Sequence, residues 1–163
     1  MAELVPIDSV SPDAIELLLD AAFGSDRHQR TAYRLRVDSS PIESLSFALN
    51  DSNGPIACIQ CWPVRMGTTP LVLVGPVAVH PESQNEGHGN RLMMHMLNAA
   101  LKIGEPAMVM IGDVSYYGRF GFSAEASAGW EMPGPWEPHR LLARNSAGHV
   151  LPGNGMLERA DAL

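Results

Sequence analysis

Apolar residues near the start of the chain recur at helical spacing. A helix is predicted between Ser11 and Gly24, because Ser11-Pro12-Asp13 is typical of a helix start and glycine of a helix end. Its apolar face consists of Ile15, Leu18, Leu19 and Ala22. A second helix is predicted over residues 26–36, on which Arg27, Arg30 and Arg34 share one face. That face is either solvated or a patch that binds substrate.

Three extended segments follow, and short turns rich in Gly, Asn and Pro join them. The predicted strands cover residues 45–49, 56–66 and 71–80. Because short links favour neighbouring antiparallel strands, these segments predict a meander. Pro76 cannot donate to a strand ladder, so we expect an edge, a bulge or a departure from the neighbouring strand there.

The pattern then changes to a helix followed by a buried strand. Residues 87–103 carry an apolar stripe, Gly104 is placed to end the helix, and residues 107–111 are a continuous apolar run. Strand, helix and strand at this spacing predict a right-handed β-α-β crossover. A short helix that begins after Asp113 and a strand over residues 141–144 complete the predicted elements. The fold class is α/β with a mixed sheet.

Length and charge narrow the class of protein. A chain of 163 residues with 45% hydrophobic residues indicates one globular domain, residues 1–163. A formal net charge of −7 argues against nucleic acid or an anionic membrane as partner. Glu3 and Asp8 stand where a signal peptide needs positive charge and an apolar run, so we expect a cytoplasmic protein. Cys58 and Cys61 should be reduced, buried thiols.

The segment Gln84-Asn85-Glu86-Gly87-His88-Gly89-Asn90 precedes a predicted helix and follows a predicted strand. Its glycines permit close backbone approach, and the first N–H groups of the helix are unpaired donors that favour a pyrophosphate. An ordinary turn would use the glycines in the same way. A P-loop needs Lys where Asn90 stands, and a dinucleotide-binding fold needs glycine in place of Leu92.

Three motifs stand in order along the chain. They are Leu73-Val74-Gly75-Pro76-Val77-Ala78-Val79-His80-Pro81, Gln84-x-x-Gly87-x-Gly89, and Gly112-Asp113 followed by Tyr116-Tyr117-Gly118-Arg119-Phe120-Gly121-Phe122. Together they resemble the GNAT superfamily of acetyl-CoA-dependent N-acetyltransferases, strongly over residues 71–122 and thinly after residue 130. The resemblance implies a GNAT-like fold, with an antiparallel N-terminal meander followed by a crossover with splayed central strands.

The resemblance also implies acetyl-CoA as co-substrate, without a metal. Backbone groups of Val77, Ala78 and Val79 would contact the pantetheine arm. Backbone N–H groups would hold the pyrophosphate at Gln84, Asn85, Glu86, Gly87, His88, Gly89 and Asn90. Tyr117 stands where the family places a tyrosine near the sulfur; the alternative is a core tyrosine beside Phe120 and Phe122. Many relatives carry Lys or Arg in this loop, so with Glu86 here we expect modest affinity.

The predicted reaction is acetyl transfer from acetyl-CoA to a primary amine. A backbone N–H near Val79 would stabilise the oxyanion, and Tyr117 would assist the departing thiolate. His80, Glu82 and Asp113 are candidate bases by proximity alone. His88 and His95 share a helix face but lack a third metal ligand.

The acceptor is expected to be a small-molecule or peptide amine. If the face of Arg27, Arg30 and Arg34 borders its site, an acceptor with a carboxylate or phosphate is favoured. The formation of a homodimer is left open by the sequence. The alternatives are a catalytically degenerate sensor or interaction module that binds acyl-CoA, and a nucleotide-binding regulatory domain.

Overall fold

The chain forms two compact units in the computed structural model, which describes residues 2–160. The first unit contains the chain up to Gln29 together with Pro41–Cys61 and Gly75–Lys102. The second contains Arg30–Ser40, Trp62–Val74 and the chain from Ile103 onward. The organisation of residues 1–163 as a single acetyltransferase-like domain stays a prediction.

The described residues form eight strands and three α-helices. The strands are β1 (Glu3–Pro6), β2 (Phe47–Asp51), β3 (Gly54–Met66), β4 (Thr69–Val79), β5 (Met108–Ile111), β6 (Trp130–Glu131), β7 (Leu141–Arg144) and β8 (Gly155–Arg159). The helices are α1 (Pro12–Phe23), α2 (His88–Leu101) and α3 (Val114–Tyr117). No helix within residues 2–160 is long and apolar enough to cross a membrane.

The first unit is built on antiparallel strands. β1 pairs with β2, and β2 pairs with the first part of β3, as the predicted meander requires. His80 N–H donates to Ile56 O at 2.8 Å, which joins the end of β4 to β3. The apolar side of α1 packs on these strands through Ile15, Leu18, Leu19, Ala48, Cys58 and Ala78. Both cysteines are free and buried, as predicted.

The two long helices were predicted to within about two residues, because both carry local start and stop signals. α1 begins directly after Ser11 and ends before Gly24. α2 begins after Gly87, whose left-handed backbone (φ 83°) suits glycine. Its buried side is formed by Leu92, Met93, Met96 and Ala100.

The second unit holds the parallel pair that the crossover predicts. β4 pairs with β5 through Val72 and Leu73, opposite Met108 and Val109. The antiparallel pairing of β5 with β7 continues to Ile111, whereas the parallel pairing of β5 with β4 ends at Val109. β4 and β5 therefore separate beyond Val109, as the predicted splayed strands require. β8 pairs antiparallel with β3 and parallel with β6. These mixed pairings confirm the predicted fold class.

The helix predicted over residues 26–36 was wrong. Two 3₁₀ turns, Arg27–Gln29 and Thr31–Leu35, stand there, and Arg30 between them is extended (φ −70°, ψ 142°). Arg27 is 2% exposed and forms ion pairs with Glu16 and Asp20 of α1. Burial of this guanidinium depends on contacts with another element, which the local pattern does not reveal.

The first predicted strand, over residues 45–49, begins two residues later in the structure, and three further strands were not predicted. Glu43–Leu45 forms a 3₁₀ turn, so β2 begins at Phe47 rather than at Leu45. β1, β6 and β8 have between two and five residues each, which is too short for a clear alternation of apolar and polar positions.

Candidate active site

The loop before α2 presents backbone donors at a helix N-terminus. Asn85 and Gly87 have left-handed backbones, with φ values of 64° and 83°. The first bond inside the helix runs from Arg91 N–H to Gly87 O at 3.0 Å, so the N–H groups of residues 88–90 have no acceptor within the helix. A Cβ at Gly87 would meet no atom of the described chain within 4 Å. This is the geometry of an anion site that a ligand can approach closely.

Side chains add little positive charge to this loop. Glu86 Oε1 is 3.8 Å from His88 Nε2, and Glu86 is exposed. His88 Nε2 is buried and has no hydrogen-bond partner among residues 2–160. The guanidinium of Arg91 donates to Ala2 O at 3.1 Å. An anion bound here would therefore be recognised mainly by backbone N–H groups and the helix dipole.

Gln84 ties this loop to the end of β4. Its Nε2 donates to Val79 O at 2.9 Å. Ala78 is buried in the core of the first unit, whereas Val77 and Val79 are half-buried. Because neighbouring strand residues face opposite sides, these two valines lie on the face away from that core. The residues predicted for the pantetheine arm and for the pyrophosphate are thus held together in the first unit.

Tyr117 lies in the second unit, at the end of α3. Its ring meets the Tyr116 ring edge-on, with centroids 4.8 Å apart. A Cβ on Gly112 would stand 2.7 Å from both Cδ2 and Cε2 of Tyr117. The ring therefore occupies the space that a side chain at residue 112 would fill. Tyr117 N–H donates to Asp113 O at 2.9 Å, which anchors the short helix.

The surroundings of Tyr117 keep its phenol protonated. Burial raises the pKa of Tyr117 to about 12; Tyr116 and Asp113 act in the same direction and Arg140 opposes them. Arg140 Nε is 3.3 Å from Asp113 Oδ1, an ion pair without hydrogen-bond geometry. An alkyl thiol has a pKa of about 8.5, so proton transfer from this phenol to a thiolate is uphill. A hydrogen bond from the hydroxyl is the chemistry that the site favours.

Two of the three candidate bases, His80 and Asp113, have structural partners. His80 Nδ1 accepts from Glu82 N–H at 3.2 Å and caps a 3₁₀ turn. Asp113 is paired with Arg140. Within the described ranges, no three His, Cys, Asp or Glu side chains are grouped to hold a metal ion.

The predicted arginine face does not exist. Arg27 is enclosed by its acidic partners in the first unit. Arg34 belongs to the second unit, where its Nη1 donates to Pro133 O at 2.6 Å. Arg30 stands between the two 3₁₀ turns rather than on a helix. The helical face that would align the three arginines is therefore absent, and their role in binding an acceptor stays a prediction.

Comparison with known proteins identifies the class. The family model of the acetyltransferase (GNAT) domain matches residues 43–124. The chain is 32% identical to the uncharacterized N-acetyltransferase YhbS of Escherichia coli K12 over 124 residues, 75% of this chain and 72% of that protein. The chain therefore belongs to the GNAT family, and it is an acetyl-CoA-dependent N-acetyltransferase, as the motifs predicted.

Solved structures support the fold assignment. Escherichia coli YhbS in complex with CoA gives a TM-score of 0.74 at 24% identity, covering 98% of this chain and 90% of that one. A GNAT acetyltransferase from Brucella melitensis with acetyl-CoA gives 0.66 at 22% identity, covering 99% and 97%. At these sequence identities, the structural similarity shows the fold alone.

Two residues around the site were not singled out from the sequence. Gly112 was noted only as part of a motif, although its missing side chain makes room for Tyr117. Arg140 was not noted, because its pairing with Asp113 joins segments far apart in sequence.

Proposed function

We propose that this protein transfers the acetyl group of acetyl-CoA to the primary amine of a small molecule or a peptide. The loop Gln84–Asn90 binds the pyrophosphate, and Val77 to Val79 contact the pantetheine arm. Tyr117 donates a hydrogen bond to the departing thiolate. The observation that supports the proposal most directly is the set of N–H groups at residues 88–90, which have no acceptor inside α2.

The loop fits the group that it is proposed to hold. Left-handed backbones at Asn85 and Gly87 turn successive N–H groups toward one side. The space beside Gly87 is open, and His88 Nε2 is a buried polar atom without a hydrogen-bond partner in the described chain. Relatives of the same fold have been crystallised with CoA and with acetyl-CoA.

Acetyl-CoA supplies a thioester, whose carbonyl carbon a neutral amine attacks. The C–N bond forms and the C–S bond breaks, so that the amide and the CoA thiolate are the products. A backbone N–H near Val79 stabilises the oxygen that becomes negative, and Tyr117 hydrogen-bonds the sulfur. The proton of the attacking nitrogen passes to solvent or to Glu82, since His80 and Asp113 are held by other groups.

Calorimetric titration with acetyl-CoA tests the loop. A valine at Gly89 is compatible with the first turn of a helix, so it should obstruct the ligand and weaken binding by roughly tenfold or more. Gly87→Ala should weaken it as well, and Gly148→Ala is its matched control. Both glycines have positive φ values with open space beside them, so both variants carry the same backbone strain. Unchanged binding in Gly89→Val would overturn the placement.

Release of CoA thiol in the presence of a panel of amines tests the reaction. Tyr117→Phe keeps the ring and removes the hydroxyl, so turnover should fall by roughly one to two orders of magnitude with little change in acetyl-CoA affinity. If acetyl-CoA binds with the expected loop dependence but no amine of any class releases CoA, the protein is a sensor that binds acyl-CoA without turnover.

We place this activity in the cytoplasm. Cys58 and Cys61 are free and buried, which is typical of proteins that fold in a reducing compartment. A homodimer stays a prediction.

A further inference from the structure

Arg140 lies beside the segment that carries Tyr117. It ends the 3₁₀ turn Pro138–Arg140 and directly precedes β7. Its carbonyl oxygen accepts from Gly112 N–H at 2.9 Å, which joins it to the residue that follows β5. Its Nε is 3.3 Å from Asp113 Oδ1. Both the backbone and the side chain of Arg140 therefore contact the two residues that precede α3.

The same two residues hold Tyr117 in place. Asp113 O accepts from Tyr117 N–H at 2.9 Å and from Tyr116 N–H at 3.0 Å. Gly112 has no side chain in the space where the Tyr117 ring lies. The carboxylate of Asp113 makes no capping hydrogen bond to α3, although aspartate commonly caps a helix in that way. It is paired with Arg140 instead, so this carboxylate is oriented by an ion pair rather than by the helix.

A carboxylate at this position opposes the role proposed for Tyr117. A hydroxyl group near an anion is a weaker acid, and therefore a weaker hydrogen-bond donor toward a thiolate. Burial is the main cause of the raised pKa of Tyr117, and Asp113 raises that pKa further, whereas Arg140 lowers it. Asp113 and Tyr117 are joined across one turn of α3, so the two groups keep this relation. An Asp113 carboxylate without a counter-ion would therefore weaken the donor.

We propose that Arg140 is a positioning residue of the reaction, which neutralises the Asp113 carboxylate so that the Tyr117 hydroxyl can donate strongly to the departing thiolate. The inference rests on the proposed function, in which Tyr117 hydrogen-bonds the sulfur. It requires no contact between Arg140 and a substrate. The effect of Arg140 is electrostatic, and it reaches the reaction through Tyr117.

Steady-state kinetics on paired charge variants separates neutralisation from packing. Arg140→Gln leaves the carboxylate without its counter-ion and should lower kcat by roughly three- to fivefold at low salt, with a smaller loss at high salt. Asp113→Asn removes the carboxylate and should raise kcat by roughly twofold, because the guanidinium then acts alone. The double variant removes both charges, so its kcat should return to nearly the wild-type value.

Nuclear magnetic resonance of Tyr117 gives a readout that needs no substrate. The chain has three tyrosines, so the Cζ resonance of Tyr117 in ¹³C-tyrosine-labelled protein is assigned by its loss in Tyr117→Phe. Arg140→Gln and Asp113→Asn should move this resonance in opposite directions, because they remove charges of opposite sign. The double variant should bring the resonance back, whereas a loss of packing would not be reversed by a second substitution.

Arg159→Gln is the matched control. Arg159 also belongs to the second unit, and its Nη1 is 3.6 Å from Asp38 Oδ2. The side chains of this pair are 33% and 84% exposed, similar to the 40% and 70% of Arg140 and Asp113. Arg159 lies on β8 rather than beside α3. The control removes the same charge from the chain and should change kcat by less than about 1.5-fold, without moving the Tyr117 resonance.

Undiminished kcat in folded Arg140→Gln would overturn the proposal, as would an equal loss in the double variant, which makes the pair structural. A loss of the same size in a Tyr117→Phe background would show that Arg140 does not act through the hydroxyl. A rise of kcat in Arg140→Gln would show that the released Asp113 acts as a base. If the wild-type protein acetylates no amine, the proposed function fails, and the Tyr117 resonance alone decides: one that neither charge variant moves would overturn the proposal.

Discussion

Adding one methyl group at Gly112 should displace Tyr117. The new Cβ would stand 2.7 Å from Cδ2 and Cε2 of the tyrosine ring and 3.4 Å from Met110 Cε. The contact with Met110 is ordinary, whereas the two contacts with the ring are far too short. Gly112 does not have a positive φ, so alanine is compatible with its backbone, and the effect of the substitution is steric.

The size of the effect follows from these distances. To restore an ordinary contact, the Tyr117 ring must move by roughly 0.7 Å. A misplacement of about 1 Å in a catalytic group can cost about 10²-fold in rate, so Gly112→Ala should lower kcat by roughly tenfold. Overpacking of this kind costs about 1–3 kcal/mol of stability, which leaves a folded enzyme to measure.

A double-mutant cycle on kcat gives the decisive assay. If Gly112 acts through the hydroxyl of Tyr117, Gly112→Ala should have little further effect in a Tyr117→Phe background. Gly118→Ala is the control in the same region, because its Cβ would meet Val114 Cγ2 at an ordinary 3.5 Å. Undiminished kcat in folded Gly112→Ala would refute the reasoning, as would an equal loss with and without the hydroxyl.

Three further changes have expected outcomes. Glu86→Gln should tighten acetyl-CoA binding by about two- to fivefold in low salt, measured by calorimetry, because an exposed carboxylate beside the phosphate loop repels the ligand. Arg27→Met leaves Glu16 and Asp20 facing each other without their cation and should lower the free energy of unfolding in urea by about 2–3 kcal/mol. Burial raises the pKa of Cys58 from 9.0 to about 12, so the folded state retains a proton that the unfolded chain releases. Stability is therefore full below pH 9 and falls toward pH 12, and Cys58→Ala should flatten that fall by up to about 1.4 kcal/mol per pH unit in reducing buffer.

The elements that the sequence predicted well carry their own local signals. α2 has a glycine before its first residue and buried methionines three residues apart, and neither feature depends on a distant contact. β7 was predicted over residues 141–144, which are its bounds in the structure. The backbone geometry of residues 84–90 is local in the same sense, and the role of this loop in binding a pyrophosphate stays a prediction.

The features that were missed depend on partners elsewhere in the chain. Arginine is a residue type usually found at the surface, and Arg27 is buried where two acids of α1 neutralise its charge. β6 consists of two residues, and its pairing is with β8, more than twenty residues away.

The distribution of charge bears on how each proposed ligand would be recognised. A chain with a net charge of −7 has little to attract a polyanion, and the loop that is proposed to bind the phosphate contains Glu86 rather than a lysine. Backbone N–H groups and a helix dipole do not alter the net charge, and their effect is confined to about one helical turn. They can therefore bind a phosphate within an acidic protein. The same acidity attracts a cationic amine at longer range. An acidic chain is thus compatible with an anionic donor when the backbone binds that donor, and its net charge favours the encounter with a cationic acceptor.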